Sequence, residues 1–412
     1  MKIKGFLNKD GTKSVLSTLI SIIIGLIAGV IVIIIVGLAD KNIPTKDIGK
    51  GVNLVLFGIF NFTSTNIGDM LFRAVPIIMT GLSVALAYKT GLFNIGASGQ
   101  YLAGTTATLF LALSIPTTVV PAWLVWVIAF LGGILAGALW GAIPGMLKAF
   151  LNINEVLACI MTNWLAANMV TWVFSLSNLK CNEGNKDSFI WKTAHNGVMT
   201  SRMGLDKIFP GSQQVNGGII IAIVIAVLIF ILLSKTTLGY ELKACGSNRH
   251  AARYAGIKDK RNIVLSMSIA GALAGAGAAL YWLSGTTEFK WDSAYQALPG
   301  EGFTGIAVAL LGACNPIANI FTGMFMSSLS VIGTKLSYST HYNEYITDII
   351  IAVIVYLSAF SLLIKRLLTK WFKKTEDKRI PDHVITSQTK EDDGKKEPAL
   401  PAEENTGKEG DK

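Results

Sequence analysis

Asn94, Ser98 and Gln100 stand within TGLFNIGASGQ, residues 90–100, interleaved with Gly91, Gly96 and Gly99. Further along, Asn163 lies in INEVLACIMTNW, residues 153–164. These are amides and a hydroxyl, not acids, bases or activated nucleophiles. They donate and accept hydrogen bonds without carrying charge, which suits contact with a neutral polyhydroxylated solute that needs no counter-ion. They do not form a nucleophile–base pair. Each glycine weakens a helix by about 1 kcal/mol relative to alanine. Two readings of 90–100 stay open: a broken helix lining a path, or an ordinary turn between two helices.

The elements that must position these groups are apolar helices. The chain is 51% hydrophobic and only 15% charged, so its average residue prefers hydrocarbon to water. VLSTLISIIIGLIAGVIVIIIVGL, residues 15–38, holds no charge and is long enough to cross a bilayer as a helix. It is longer than a signal-peptide core and lacks an obvious small-residue cleavage site, so it reads as a retained span. The pattern predicts an all-α polytopic membrane protein with about ten spans, some broken or short. They are 15–38, 70–89, 91–115, 121–147, 154–176, 217–234, 263–284, 301–314, 316–334 and 346–366. Residues 48–62 read as an interfacial segment. In lipid, non-helical backbone survives only when buried in protein or facing a water-filled cavity. Transporters often bind solute at such breaks.

Charge placement orients the spans. The net charge is +10, but its lysines and arginines cluster in loops and near the ends, as topology signals do, which argues against a nucleic-acid partner. Lys2, Lys4, Lys9 and Lys13, the basic loop 235–262, and Lys365, Arg366, Lys370, Lys373 and Lys374 all fall inside on an even span count. Both termini are therefore expected in the cytoplasm. The organisation is a membrane domain over 1–366 and a tail over 367–412. The tail is too polar to bury a core and is expected to be disordered. The four cysteines, Cys159, Cys181, Cys245 and Cys314, form no CxxC pair. With only Cys181 outside, neither a disulfide nor a metal site is expected.

Other residues read as packing and capping devices. Gly133, Gly137, Gly141 and Gly145 recur every fourth residue and put a smooth stripe on one helix face. Gly271 and Gly275 repeat the device. The stripe joins helices inside one subunit or marks a subunit contact or moving seam. Pro76, Pro144 and Pro316 are expected to interrupt helices. Asn154 and Glu155 suit the start of span five, and Asn163 lies deeper. Arg73 and Asp348 can snorkel outward, and Glu301 reads as a first-turn acid. The inside loop carries a short amphipathic stretch, Ala251, Ala252, Tyr254, Ala255 and Ile257, between glycines at 246 and 256. It is either a helix that docks on a cytoplasmic partner or a plain basic loop.

Four stretches taken in order, KTGLFNIGASGQ, INEVLACIMTNW, GSNRHAARYAGI and GEGFTGIAVALLGACNP, resemble the signatures of permease subunits of bacterial ABC importers. The similarity is to the simple-sugar and nucleoside branch, a branched-chain-type family, and most to its nucleoside permeases. It covers roughly 70–366. The resemblance implies two related halves, spans two to five and seven to ten. It implies a cytoplasmic ABC ATPase, a second permease that is a paralogue or a second copy, and an extracellular solute-binding lipoprotein. It implies no cofactor in this chain, ATP–Mg being held by the ATPase; the chain contains no GxxxxGK[ST] motif. The coupling helix that touches the ATPase would comprise Gly246, Asn248, Ala251, Ala252 and Arg253, continuing through Tyr254, Ala255, Gly256 and Ile257. Arg249 stands where the family often has proline. Asn94, Ser98, Gln100 and Asn163 would line the path. The competing reading is an ion-driven secondary transporter, which calls for buried carboxylates that are scarce here.

Overall fold

The computed structural model of the chain describes residues 10–175, 188–189, 198–287, 289–290, 298–343 and 345–359. Ser14–Leu362 form one compact unit; a second, Met1–Lys13 with Leu363–Lys412, lies outside the described residues except for the start of the first helix. The tail over 367–412, Cys181 and the lysines up to Lys9 therefore lie outside them as well.

The first half of the described chain holds α1 (Asp10–Ala39), α2 (Thr45–Phe57), α3 (Ser64–Lys89), α4 (Ala97–Ser114), α5 (Ala122–Leu151) and α6 (Glu155–Ser175). A short α7 (Leu205–Ile208), α8 (Gly218–Lys235), α9 (Thr237–Ser247) and α10 (Arg249–Tyr254) follow. Then come α11 (Asp259–Trp282), α12 (Gly300–Leu311), α13 (Pro316–Ser339) and α14 (Tyr345–Ala359). Among the described residues one antiparallel two-residue pair, β1 (Ser188–Phe189) with β2 (Phe289–Lys290), links the loop after α6 to the loop after α11.

Among the described residues, seven helices are long and apolar enough to cross a membrane: α1 from Leu19, α3, α5, α6, α8, α11 and α13. The expected third, eighth and tenth spans correspond to α4, α12 and α14. α4 has 18 residues but carries Gln100, Thr105, Thr106 and Thr108. α12 has 12 residues and α14 has 15. The expected interfacial segment is α2 followed by a 3-10 turn, Gly58–Asn61. Asp47 of α2 is buried and accepts from the backbone N of His341 at 3.2 Å, with His341 Nδ1 at 2.7 Å, which pins α2 to the chain just beyond α13.

α3 is the hub, buried without interruption from Ala74 to Ala87. Ile78, Leu82 and Leu86 pack with Ala222 of α8 and with Leu273 and Leu280 of α11. Pro76 lies inside this helix, and the Thr80 hydroxyl sits 2.9 Å from Pro76 O and 2.8 Å from Glu301 O. Pro144 lies inside α5. Pro316 interrupts nothing: it is the first residue of α13, after the capping Asn315, where its missing N–H has no helical partner to lose. Arg73 does not snorkel; its Nη1 donates to Ser330 and Thr334 of α13 at 3.2 and 3.1 Å.

The glycine stripe of α5 meets the glycines of α11 within one subunit. A Cβ at Gly137 would overlap Gly271 O and lie 3.0 Å from Gly275 Cα. Gly104 of α4 joins the seam, 2.5 Å from Gly275 Cα by the same measure. Bare backbones in contact let three helices approach more closely than side chains would allow.

Candidate functional site

Residues 90–96 are not helical, and Gly91 takes a left-handed φ of +76° that glycine adopts without steric cost. By connectivity the segment is a turn between α3 and α4. By environment it is interior: Asn94, Ser98, Gln100 and Asn163 are each no more than 1% exposed. Asn94 and Gln100 form a reciprocal amide pair, Nδ2 to Oε1 at 2.8 Å and Nε2 to Oδ1 at 3.0 Å. Asn94 Nδ2 also donates to Ser83 of α3 at 3.0 Å.

α4 begins at Gly96, which has no side chain to cap it. The orphan N–H groups of a first helical turn need acceptors. Asn163, on α6, supplies one: its Oδ1 accepts from Gly99 N at 2.8 Å, and its Nδ2 donates to Ile95 O at 3.1 Å. Ser98 Oγ donates to Pro299 O at 3.1 Å, tying the same turn to the start of α12. The predicted path residues thus converge in space, but in this conformation their polar atoms face one another and nearby backbone. Asn154 caps α6 through Val156 N at 2.9 Å, and Glu155 pairs with Lys148 at 2.9 Å.

The amide pair predicts a measurable coupling. Asn94→Ala leaves both ends of the buried Gln100 amide unpaired, and the expected loss is about 2 kcal/mol. Asn94→Leu with Gln100→Leu removes both partners and is expected to cost less than the sum of the single changes. Thermal unfolding of wild type, Asn94→Leu, Gln100→Leu and the double variant checks this; strictly additive losses would rule the pair out as a unit.

Sequence reading missed Asn319 of α13. It is fully buried, and neither side-chain polar atom has a hydrogen-bond partner among the described residues. It lies beside Gly81 and Gly312. The turn before α13 places Ala313 and Cys314 in the left-handed region, φ 50° and 53°, at a cost on the order of 1 kcal/mol each. An amide inside the apolar run PIANIF was the available signal.

The basic loop folds as a helical hairpin, α9–α10. Asn248 caps α10 by accepting from Ala251 N at 3.0 Å. Gly256 closes it with φ +82°, and Gly256 N and Ile257 N donate to Arg253 O and Ala252 O, each at 3.0 Å. That double bond pattern is a Schellman turn. Ala252 is buried and Tyr254 is 95% exposed. Arg249 is the first helical residue, a position that tolerates proline. Arg249 Nε and Arg253 Nη2 both reach Asp259 Oδ2, at 2.7 and 2.8 Å. Asn262 and Arg261 both donate to Glu241 Oε2, at 2.9 and 3.0 Å. The Asn262 bond, with the Arg261 charge behind it, holds the Glu241 carboxyl below its ordinary pKa. A cleft of about 720 Å³ runs between α9 and α10. The hairpin touches the polar segment directly: a Cβ at Gly246 would lie 2.8 Å from both Gly91 N and Thr90 C.

Residues 66–359 match the family described as "Branched-chain amino acid transport system / permease component". The chain belongs to this permease family. It is a multi-pass membrane permease subunit of an ABC transporter, a class that is itself non-catalytic and leaves ATP hydrolysis to a partner ATPase. The permease is 33% identical to the guanosine ABC transporter permease protein NupP of Bacillus subtilis (strain 168), over 79% of this chain and 90% of that one. It is 36% identical to the nucleoside ABC transporter permease protein NupB of Lactococcus lactis subsp. cremoris (strain MG1363), over 75% of this chain and 83% of that one. It is 29% identical to the glucose ABC transporter permease protein TsgB13 of Haloferax volcanii, over 72% of this chain and 77% of that one. Nothing in these likenesses supports the ion-driven alternative.

Proposed function

We propose that the permease forms the membrane path of an ATP-driven importer for nucleosides. It works with a cytoplasmic ATPase that holds ATP–Mg, a second permease subunit and an extracellular binding lipoprotein. Both termini are cytoplasmic, and α4, α12 and α14 complete ten segments with the seven long helices. The two halves are α3–α6 and α11–α14. The relatives named for guanosine and for nucleosides support the solute class.

The observation that carries the mechanism is the hairpin. α10 is capped at both ends, braced through Asp259 and exposes Tyr254, and α9, which precedes it, reaches the segment 89–91 through Gly246. When nucleotide binding closes the ATPase pair, a push on α10 passes through α9 to the backbone of residues 90–91. Asn94, Ser98, Gln100 and Asn163 hold that segment closed in one state and release it in the other. The alternation is a population shift driven by differential nucleotide affinity. The coupling surface comprises Gly246, Asn248, Ala251, Ala252 and Arg253 with Tyr254, Ala255, Gly256 and Ile257.

Uptake of tritiated guanosine into proteoliposomes containing all the subunits tests the solute class. Uptake is expected to require ATP on the cytoplasmic side, to vanish with excess adenosine or uridine, and to survive the same excess of glucose. Glucose uptake without guanosine uptake would instead place the solute among sugars, as in the Haloferax volcanii relative.

A further inference from the structure

A second cavity, of about 840 Å³, opens beside the hairpin. Its wall is apolar, formed by Met146 and Phe150 near the end of α5 and by Val264 and Leu265 of α11. Met146 and Phe150 are 44% and 62% exposed. Its rim is cationic, formed by Lys258, Lys260 and Arg261, all exposed. The neighbouring carboxylates are already engaged. Asp259 serves Arg249 and Arg253, and Glu241 pairs with Arg261 at 3.0 Å. Among the described residues no carboxylate pairs with Lys258 or Lys260. Lys260 Nζ instead stands 5.6 Å from the centre of the Phe150 ring.

Charge and apolar surface are ordered along the helix axis. The cations occupy 258–261, and Val264, Leu265 and Ser268 follow on the same wall. At 1.5 Å per residue that wall reaches about 10 Å below the rim. An ammonium rim over an exposed apolar wall, at the end of a helix long enough to span a membrane, matches a phosphate headgroup above a hydrocarbon tail. Basic pockets between membrane helices on the cytoplasmic side bind anionic headgroups in this way. Plain topology-setting charges require neither the cavity nor the wall beneath it.

We infer that this cavity binds an anionic phospholipid, with the phosphodiester at Lys258, Lys260 and Arg261 and an acyl chain along Met146, Phe150, Val264 and Leu265. The site needs only a membrane-spanning chain; that the lipid comes from the cytoplasmic leaflet rests on the orientation proposed above.

Native mass spectrometry of the full-length permease with its co-purified ATPase, in a neutral detergent, tests the site. Phosphatidylglycerol, phosphatidylcholine and inorganic phosphate are added separately at equal concentration. The expected result is a retained phosphatidylglycerol adduct, weak phosphatidylcholine adducts and no phosphate adduct. Lys258→Gln, Lys260→Gln and Arg261→Gln combined are expected to weaken the phosphatidylglycerol adduct about tenfold or more. Met146→Trp fills the wall with every charge intact and is expected to weaken it as well. Lys235→Gln with Lys243→Gln, elsewhere on the same side, is expected to leave it unchanged. Equal adducts for the two lipids, or an undiminished adduct in both the triple variant and Met146→Trp, overturn the site. Phosphate binding as strong as that of the lipid also overturns it, by making the rim a free-anion site. ATPase retention is read in the same spectra. Its loss from wild type with the lipid adduct intact counts against the importer reading and leaves the lipid site standing.

Discussion

Gly271→Val is expected to leave little folded permease in the membrane. A Cβ at this position would overlap Gly137 O and lie 2.9 Å from Gly137 C and 3.1 Å from Gly141 Cα. These are backbone atoms of a helix, so no rotamer change relieves the clash. The two helices must separate along the most extensive helix–helix contact in the fold. Overpacking a tight core costs roughly 1–3 kcal/mol where side chains can yield. Here they cannot, and a loss of about 3 kcal/mol or more is expected against a total stability of roughly 5–15 kcal/mol. Gly137→Val, on the facing helix, is expected to behave alike. Gly49→Ala is the contrast: it lies inside α2, and nothing stands within 4 Å of its Cβ position. It is expected to raise stability by up to about 1 kcal/mol through helix propensity. The folded fraction by size-exclusion chromatography and the apparent melting temperature measure all three. Wild-type behaviour of Gly271→Val would show that α5 and α11 are not joined at this seam.

Tyr254→Ala is expected to release the ATPase from a permease that remains folded. The ring is 95% exposed at the end of a six-residue helix held rigid by its caps. A preorganised aromatic loses little entropy on docking, and truncating such an anchor costs about 2 kcal/mol. That is roughly a thirtyfold weaker complex. Tyr254→Phe keeps the ring and is expected to retain most of the affinity. Arg253→Ala acts by another route. Its guanidinium donates to Asp259 at 2.8 Å, so its loss also slackens α10 against α11. Arg249 still holds the same carboxylate at 2.7 Å, and solvent screens the exposed Arg253 charge, so the stability cost is small. Melting temperature and ATPase retention in a mild-detergent pull-down separate the two roles. Tyr254→Ala is expected to move only retention, and Arg253→Ala to move both. Full retention by Tyr254→Ala would exclude α10 as the docking element.

The two residues looked alike in the sequence, adjacent in one short basic stretch. What divides them is Asp259, six residues beyond Arg253, brought back by the Schellman turn. Gly256, which closes this turn, was readable as the far bracket of the short helix because glycine's conformational freedom acts within a few residues; that Asn248 caps the near end emerged only from the fold. The spacing of Gly133 to Gly145 was readable for the same reason, since helical period places all four on one face. Their partners were not readable, because Gly271 and Gly275 lie more than a hundred residues further along the chain. Asn163 looked like a path residue from its type and depth. That it caps α4 in place of Gly96 depends on how α6 rotates against α4, which no local pattern encodes. Asp47 and His341, 294 positions apart, gave no signal of their pairing.

By itself, then, the sequence determined the apolar helices, their charge asymmetry, the uncharged chemistry of residues 90–100 and the local closure of α10. Each follows from side-chain preference over a few turns of chain. The tertiary structure alone decided that the amides of 90–100 are buried and mutually satisfied, that the glycine seam is internal to the subunit, and that the hairpin abuts the polar segment at Gly246. Those outcomes depend on which helix faces lie together, and that is set by close packing among residues distant in sequence.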